Sequence, residues 1–269
     1  MSGRRQFGLF ILGDEILSGK RQDRHFEQVR AILGARGLAL SWVQYLGDDR
    51  ARCVNALRAS FASGDIVFSC GGIGSTPDDH TRQAAAEALG QQLVLHPKAE
   101  ALIRERAQDM GQPATPDRLR MGEFPQAAEI IPNPYNKIPG FSVREHYFVP
   151  GFPVMAWPMI EWVLETFYKD LFRSVAEFDR SMIVYRLYEA TVTPLMQSLA
   201  ERYPELKIYS LPSAGEDGRP KHVELGIKAT GGLDDPTSPP ALLEAAYQEF
   251  RAGVVGLGGE IGEERQVSR

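Results

Sequence analysis

The first two-thirds of the chain alternates strand-like runs with helix-like segments, and this alternation limits the fold more than any other feature. Phe7–Leu12 and Asp65–Cys70 read as buried strands, and Leu38–Gly47 reads as a strand with alternating polarity. Two segments of helical periodicity, HFEQVRAILGARG and DDRARCVNALRASFASG, follow the first and second strands. This order predicts an α/β domain, in which a parallel sheet carries helices on both faces.

A different pattern begins near residue 174 and predicts a second, smaller domain. Strand-like segments (RSMIVYRLYEA, LKIYSLPS, KHVELGIKAT) accompany two helix-like ones (TVTPLMQSLAERY, PALLEAAYQEFRAGV). A chain of 269 residues is long for one domain of ordinary size. We therefore expect an α/β domain over 1–173, a small α+β domain over 174–263 and a disordered tail over 264–269.

Charge and composition exclude several classes of protein. A net charge of −5 argues against a nucleic-acid binder. The apolar run at Phe7–Leu12 is too short for a signal peptide, and no stretch approaches the roughly 20 apolar residues of a membrane helix. Two cysteines, Cys53 and Cys70, cannot form a disulfide framework or a four-ligand zinc site. We expect a cytoplasmic enzyme or binding protein that has neither nucleic acid nor a membrane as a partner.

Four glycine-containing loops follow the predicted strands. Their sequences are GDEILSGKRQD, GDDR, GGIGSTPDDHT and PGFP, and three of them also contain carboxylates. In an open parallel sheet, ligands bind beyond the carboxyl ends of the strands. The four loops are therefore predicted to form one ligand site.

The third loop indicates an anion site. Gly71, Gly72 and Gly74 allow the backbone to turn steeply and to present amide N–H groups to a phosphate. The helix that begins near Asp79–Thr81 adds the positive end of its dipole. The sequence lacks both the phosphate-loop pattern that ends in Gly-Lys-Ser/Thr and the G-x-G-x-x-G pattern of dinucleotide-binding domains.

The same loop continues with Asp78 and Asp79, which would repel a phosphate unless a cation lay between them. Mg²⁺ binds pairs of carboxylates together with the phosphate oxygens of a substrate. This chemistry predicts that both aspartates hold a divalent metal, with Asp48 assisting at the rim. The alternative is helix capping, by Asp78 or Asp79 for one helix and by Asp48 or Asp49 for the preceding one.

The candidate site residues fall into two groups. The candidate catalytic residues are Asp48, Asp78 and Asp79, of which the last two are also the candidate metal ligands. The candidate ligand-binding residues are Gly13, Asp14, Glu15, Gly71, Gly72, Gly74, Ser75, Thr76, Thr81, Pro150 and Gly151. His25 and His80 lie near the same edge without a partner at fixed spacing, which favours structural roles for both.

Six motifs occur in an order that resembles a known family. CGGIGSTPDDHT resembles the T-G-G-x-G-x-x-x-x-D-x-T signature of the MoaB/MogA-type molybdopterin-binding domain, with Asp79 and Thr81 on its aspartate and threonine. GDEILSG, GDD, the N-P and P-G-F motifs within NPYNKIPGF, and PGFPVMAWPM add a resemblance to the N-terminal part of the competence/damage-inducible CinA family, over residues 7 to 172. The amidase domain of CinA proteins has no counterpart in this sequence, so amidase activity is not expected.

The resemblance implies a three-layer α/β/α fold with a mostly parallel sheet, and assembly as a homo-oligomer, a dimer or trimer. It also implies one of two chemistries: binding of molybdopterin in molybdenum-cofactor biosynthesis, or metal-dependent cleavage of ADP-ribose into AMP and ribose 5-phosphate. Two departures bear on the ligand. In KRQDRH, Asp23 and His25 stand where the family usually has asparagines, and Phe152 and Val154 replace more polar residues.

Three hypotheses of function follow. The first is a hydrolase that acts on a diphosphate-linked nucleotide with Mg²⁺. The second is a non-catalytic or cofactor-handling module that binds molybdopterin or a related phosphate. The third is an interaction protein whose C-terminal domain contacts a partner while the pocket is vestigial.

Overall fold

The computed structural model describes residues 5–172, 176–215, 218, 220–231 and 239–268. The chain divides into two compact units, Met1–Phe172 and Arg173–Arg269. No helix in the described ranges is both long enough and apolar enough to cross a bilayer.

The first unit alternates strands and helices in chain order. It consists of β1 (Phe7–Leu12), α1 (Asp14–Leu17), α2 (His25–Gly34), β2 (Leu40–Leu46), α3 (Arg50–Ser63), β3 (Ile66–Cys70), α4 (Thr81–Leu89), β4 (Leu93–Leu95), α5 (Pro97–Asp109), α6 (Pro116–Arg120), β5 (Glu123–Pro125), β6 (Glu129–Ile131), β7 (Gly140–Val143), β8 (His146–Val149) and α7 (Pro153–Phe167), with a short 3-10 helix at Lys169–Leu171.

The central sheet has six strands in the order β2-β1-β3-β8-β7-β6. The neighbours β2, β1, β3 and β8 run parallel, whereas β7 and β6 are antiparallel additions at one side. Ile11 pairs with Tyr45 and with Cys70, and Cys70 pairs with Val149. The carboxyl ends of the four parallel strands therefore lie side by side, which confirms the predicted α/β fold with a mostly parallel sheet.

Helices cover both faces of this sheet. One core cluster packs α2 and α7 against the sheet through residues such as Val29, Leu33 and Ile160. The other packs α3 and α4 through residues such as Leu57 and Ala84. All residues of β1, β3 and β8 are buried, as expected for parallel strands that are covered on both faces.

The second unit is a small α+β structure. It consists of β9 (Ala176–Tyr185), α8 (Glu189–Arg202), β10 (Lys207–Ser213), β11 (His222–Gly231), α9 (Pro239–Gly256) and β12 (Glu260–Ser268). The strands form an antiparallel sheet in the order β10-β11-β9-β12. Its core contains Met182, Leu225 and Ile227 from the sheet and Leu199 and Phe250 from the helices.

The expectation of a disordered tail over 264–269 is wrong for residues 264–268. These residues belong to β12, in which Glu264 pairs with Met182 and Ser268 with Phe178. The Tyr247 hydroxyl also donates a hydrogen bond of 2.7 Å to the Glu264 carboxylate. The segment is polar and resembles a solvated tail, but the free edge of β9 supplies the main-chain partners that turn it into a strand.

Candidate functional site

A cavity of about 420 Å³ lies at the carboxyl ends of the parallel strands, and all four glycine-containing loops contribute to its lining. The predicted site residues that line it are Gly13, Glu15, Asp48, Gly71, Gly72, Gly74, Ser75, Thr76, Asp78, Asp79, Pro150 and Gly151. Asp14 and Thr81 do not line it but hold residues that do. The volume falls in the range of small-molecule sites.

The loop over residues 71–79, here called the glycine loop, owes its shape to two glycines and one threonine. Gly71 and Gly72 have φ values of 108° and 69°, which side chains other than glycine rarely adopt. The Thr81 hydroxyl donates to the Gly71 carbonyl at 3.1 Å, and the Thr81 backbone N–H donates to the Gly72 carbonyl at 3.0 Å. A Cβ on Gly72 would overlap the Thr81 hydroxyl. Both carbonyls are thus turned toward α4.

While these carbonyls face α4, several backbone N–H groups of the glycine loop have no hydrogen-bond acceptor in the described part of the chain. The Gly71 N–H donates to the Val149 carbonyl at 3.0 Å. The next four N–H groups, of residues 72–75, have no acceptor among the residues that the structure describes. Successive N–H groups in a turn that lack acceptors are able to bind an anion.

Asp79 shapes the glycine loop instead of capping α4. One of its carboxylate oxygens accepts the Thr76 backbone N–H at 2.9 Å and also the Thr76 hydroxyl. The N-cap position of α4 is occupied by His80, which makes no side-chain capping bond. The alternative that an aspartate merely caps this helix is therefore wrong. Within the described residues, no group of three His, Cys, Asp or Glu side chains is arranged to hold a metal.

Asp48 and Asp49, which precede α3, have different roles. The Asp49 carboxylate accepts the Arg52 N–H at 2.7 Å and caps α3. Asp48 instead lines the cavity. Burial raises the pKa of the Asp48 carboxyl, and the nearby charges of Asp14, Glu15 and Asp78 raise it further, against the opposing effect of a hydrogen bond from the Asp14 backbone. Asp48 is thus a carboxylate whose negative charge is disfavoured.

His25 contributes to the cavity wall from the start of α2, a placement that spacing alone did not identify. Its Nε2 lies 3.1 Å from the Gly151 carbonyl oxygen, so Nε2 carries the proton and donates. The ring is buried, and burial lowers its pKa. His25 therefore joins α2 to the loop after β8.

The two segments that depart from the family pattern meet at the cavity. The Arg21 guanidinium lies 5.7 Å from the centre of the Phe152 ring, and both side chains line the cavity. Phe152 remains 54% exposed. The segments KRQDRH and PGFP therefore contribute neighbouring side chains, Arg21 and Phe152, to the cavity lining.

The asparagines of the motif NPYNKIPGF were not among the predicted site residues. Asn133 and Asn136 line the cavity. The Asn133 amide donates to the Asn136 side chain at 2.8 Å and to the Ile138 carbonyl at 2.9 Å. These bonds fix the shape of the β6–β7 connection where it lines the cavity, and the motif itself was the signal that could have identified the two asparagines.

Comparison with known families agrees with this architecture. Residues 8–170 match the family described as "probable molybdopterin binding domain". Apart from Phe7, that stretch contains the six-stranded sheet and all four loops of the cavity.

Individual relatives extend the match into the second unit. A protein of Pyrobaculum arsenaticum is 28% identical over 231 residues, 84% of this chain and 87% of the relative. A CinA-like protein of an Anaeromyxobacter species is 29% identical over 82% of this chain, but the match spans only 58% of that longer relative. The crystal structure of a CinA protein of unknown function from Thermoplasma acidophilum superposes with a TM-score of 0.54 at 25% identity, over 60% of this chain and 98% of that one.

Proposed function

The chain belongs to the family of probable molybdopterin binding domains and is CinA-like, and from this we propose that its cavity binds a phosphate-containing nucleotide or pterin. The observation that carries the proposal is the row of four unpaired N–H groups at residues 72–75 on the cavity wall. A phosphate accepts such donors, and the start of α4 adds a favourable dipole.

The remainder of the cavity suits the ring of such a ligand. Ile11, Ile73, Ile138 and Met155 provide apolar contact, and Phe152 provides an exposed aromatic face. A planar heterocycle such as adenine or a pterin gains from apolar and aromatic contact. Polar groups on a small molecule would meet Asn133 and Asn136 on the same wall.

A melting-temperature panel with the full chain tests this proposal. Any ligand that binds only the folded state raises the melting temperature, and the rise grows with the ratio of the ligand concentration to its Kd. We expect AMP, ADP-ribose or a pterin phosphate to raise it, and adenosine, which has the ring but no phosphate, to raise it much less. Equal shifts for AMP and adenosine, or no shift with any phosphate, would contradict phosphate binding at the glycine loop.

A second candidate function is metal-dependent hydrolysis of ADP-ribose. The observation that favours it is a cluster of acidic side chains around Asp48. Asp14, Glu15 and Asp78 lie close enough for their charges to raise the pKa of the Asp48 carboxyl. Asp78 and Asp79 would hold the ion, Asp48 would assist at the rim, and a bound phosphate would complete the ligands that the two aspartates do not supply. A divalent ion would neutralise the phosphate charge during cleavage.

Turnover measurements separate the two candidates. The hydrolase predicts release of AMP from ADP-ribose with Mg²⁺ and no release after chelation of the metal. Binding of the same ligand without any release, with or without Mg²⁺, supports the non-catalytic module and removes the hydrolase.

A further inference from the structure

Arg82 is a buried cation in the first turn of α4, directly behind the glycine loop. Its side chain is 2% exposed, although arginine is almost never fully buried unless it is paired. One guanidinium N–H donates to the Gly74 carbonyl at 2.6 Å, and another donates to the Arg120 carbonyl. Arg82 therefore connects the glycine loop to the end of α6.

The charge of Arg82 lacks a close counter-ion. Within residues 5–172, no carboxylate oxygen lies within 4.0 Å of its guanidinium nitrogens. Glu123 and Asp79 attract it only from a greater distance, and Arg120 repels it. Its Nε–H is buried and has no acceptor. Backbone carbonyls satisfy two of its donors, but they do not neutralise a buried charge.

The position of this charge matters because the cavity lies on the other side of the loop. Gly74 lines the cavity, whereas Arg82 does not. The unpaired N–H groups of residues 72–75 belong to the segment whose Gly74 carbonyl Arg82 holds. An anion at those N–H groups would lie close to the guanidinium without touching it.

We propose that Arg82 is a positioning residue of the phosphate site, and that the phosphate of the bound ligand is the counter-ion that its buried charge lacks. The inference rests on the proposed binding of a phosphate ligand. It explains how a loop that contains two aspartates and no lysine takes an anion: the cation is behind the loop, on α4, and acts through the Gly74 peptide.

Titration of the full chain with inorganic pyrophosphate tests the role of the charge. Arg82→Met removes the charge, Arg82→Lys keeps it, and Arg104→Met removes an exposed charge that pairs with Glu100 at 2.7 Å on α5. We expect Arg82→Met to weaken binding by about tenfold or more, and Arg82→Lys by no more than about threefold. Arg104→Met should bind like the wild type. Equal affinities for wild type and Arg82→Met, or equal weakening by both Arg82 variants, would overturn the inference.

A measurement on the wild-type protein covers the case in which Arg82→Met does not fold. In protein labelled with ¹⁵N-arginine, the Nε–H resonance of Arg82 is identified by its loss in Arg82→Lys, or by its slow exchange with solvent. Saturating pyrophosphate is expected to shift this resonance, and an unchanged resonance overturns the inference. Failure of the wild type to bind pyrophosphate removes the proposed function and this inference together, whereas binding that is insensitive to Arg82 removes the inference alone.

Discussion

Asp14 and Asp48 are joined by two reciprocal hydrogen bonds, each from the backbone N–H of one residue to the side-chain carboxylate of the other. The Asp48 carboxylate accepts the Asp14 backbone N–H at 3.0 Å, and the Asp14 carboxylate accepts the Asp48 backbone N–H at 3.2 Å. The loops after β1 and β2 are thereby joined, and two carboxylates are held close together. A Cβ on Gly47 would overlap the Asp14 carboxylate, so this contact also requires a glycine.

The first prediction concerns the stability cost of the Asp48 charge. Because its pKa is raised in the folded state, the folded protein holds this proton more tightly than the unfolded chain. Stability from this group is therefore present below the ordinary aspartate pKa and is lost as pH rises through the raised value. Asp48→Asn keeps an oxygen that accepts the Asp14 N–H but cannot ionise.

Chemical unfolding from pH about 4 to about 7 measures this difference. Relative to the wild type, Asp48→Asn should gain stability as pH rises. Asp117→Asn, at an exposed position on α6, is the matched control. A gain in stability that is the same at every pH would contradict the raised pKa of Asp48.

The second prediction compares two glycines in the left-handed conformation. At both, a side chain would strain the backbone, but at only one would its Cβ also overlap a neighbouring atom. Gly72 has φ 69° and no room for a Cβ beside Thr81, whereas Gly90, at the end of α4, has φ 64° and open space. Gly90→Ala should cost about 1 kcal/mol and leave ligand binding unchanged. Gly72→Ala should cost more and abolish AMP binding, because the loop must move. Similar losses of AMP binding in both variants would show that binding does not depend on the conformation of the glycine loop.

The third prediction concerns Asp79. Asp79→Asn retains an oxygen that accepts the Thr76 N–H, so the fold and the melting temperature should change little. If Asp79 holds a metal for ADP-ribose hydrolysis, this variant should lose nearly all release of AMP, because an amide binds a divalent cation far more weakly than a carboxylate. Unchanged turnover in a hydrolytically active protein would remove the metal role from Asp79.

The fourth prediction concerns His146, which is buried at the start of β8. Its Nε2 lies 2.7 Å from the Ser60 hydroxyl, and burial lowers its pKa from 6.5 to about 4. As pH falls from 6.5 toward about 4, this imidazole takes up a proton in the unfolded chain but not in the folded protein. The free energy of unfolding therefore decreases across that range. The linked loss is up to about 3 kcal/mol.

Replacement of this histidine by a non-titrating side chain checks the linkage. His146→Gln should lower stability at neutral pH but flatten the dependence on pH across that window. His80→Gln, at the N-cap of α4 and outside the core, is the matched control. An unaltered slope in His146→Gln would assign the acid sensitivity to other groups.

The fifth prediction concerns β12. Deletion of residues 264–269 removes the pairing of Glu264–Ser268 with β9 and the bond from Tyr247 to Glu264. It exposes one edge of β9, so calorimetry should show a lower unfolding temperature for the second unit. A truncated chain that melts like the intact one would restore the interpretation of this segment as a tail.

Local sequence patterns account for much of the fold and for the location of the site. Continuous apolar runs identified β1, β3 and β8 because strands covered on both faces need apolar side chains on both sides. Glycines marked the loops because few other residues turn that steeply. Since parallel strands end at one edge, the meeting of the four loops at one cavity followed from topology alone.

The sequence by itself therefore determined the order of elements, the class of the sheet and the edge at which the cavity lies. Only the tertiary structure decided that Asp49 caps α3 while Asp48 faces the cavity. It also placed Arg82 behind Gly74 and brought His25 into contact with Gly151. In the second unit, it decided that a polar segment completes the sheet. The physical reason is the range of the interactions. Periodicity and turns depend on neighbours along the chain, whereas charge, capping and edge pairing depend on partners that folding brings from elsewhere.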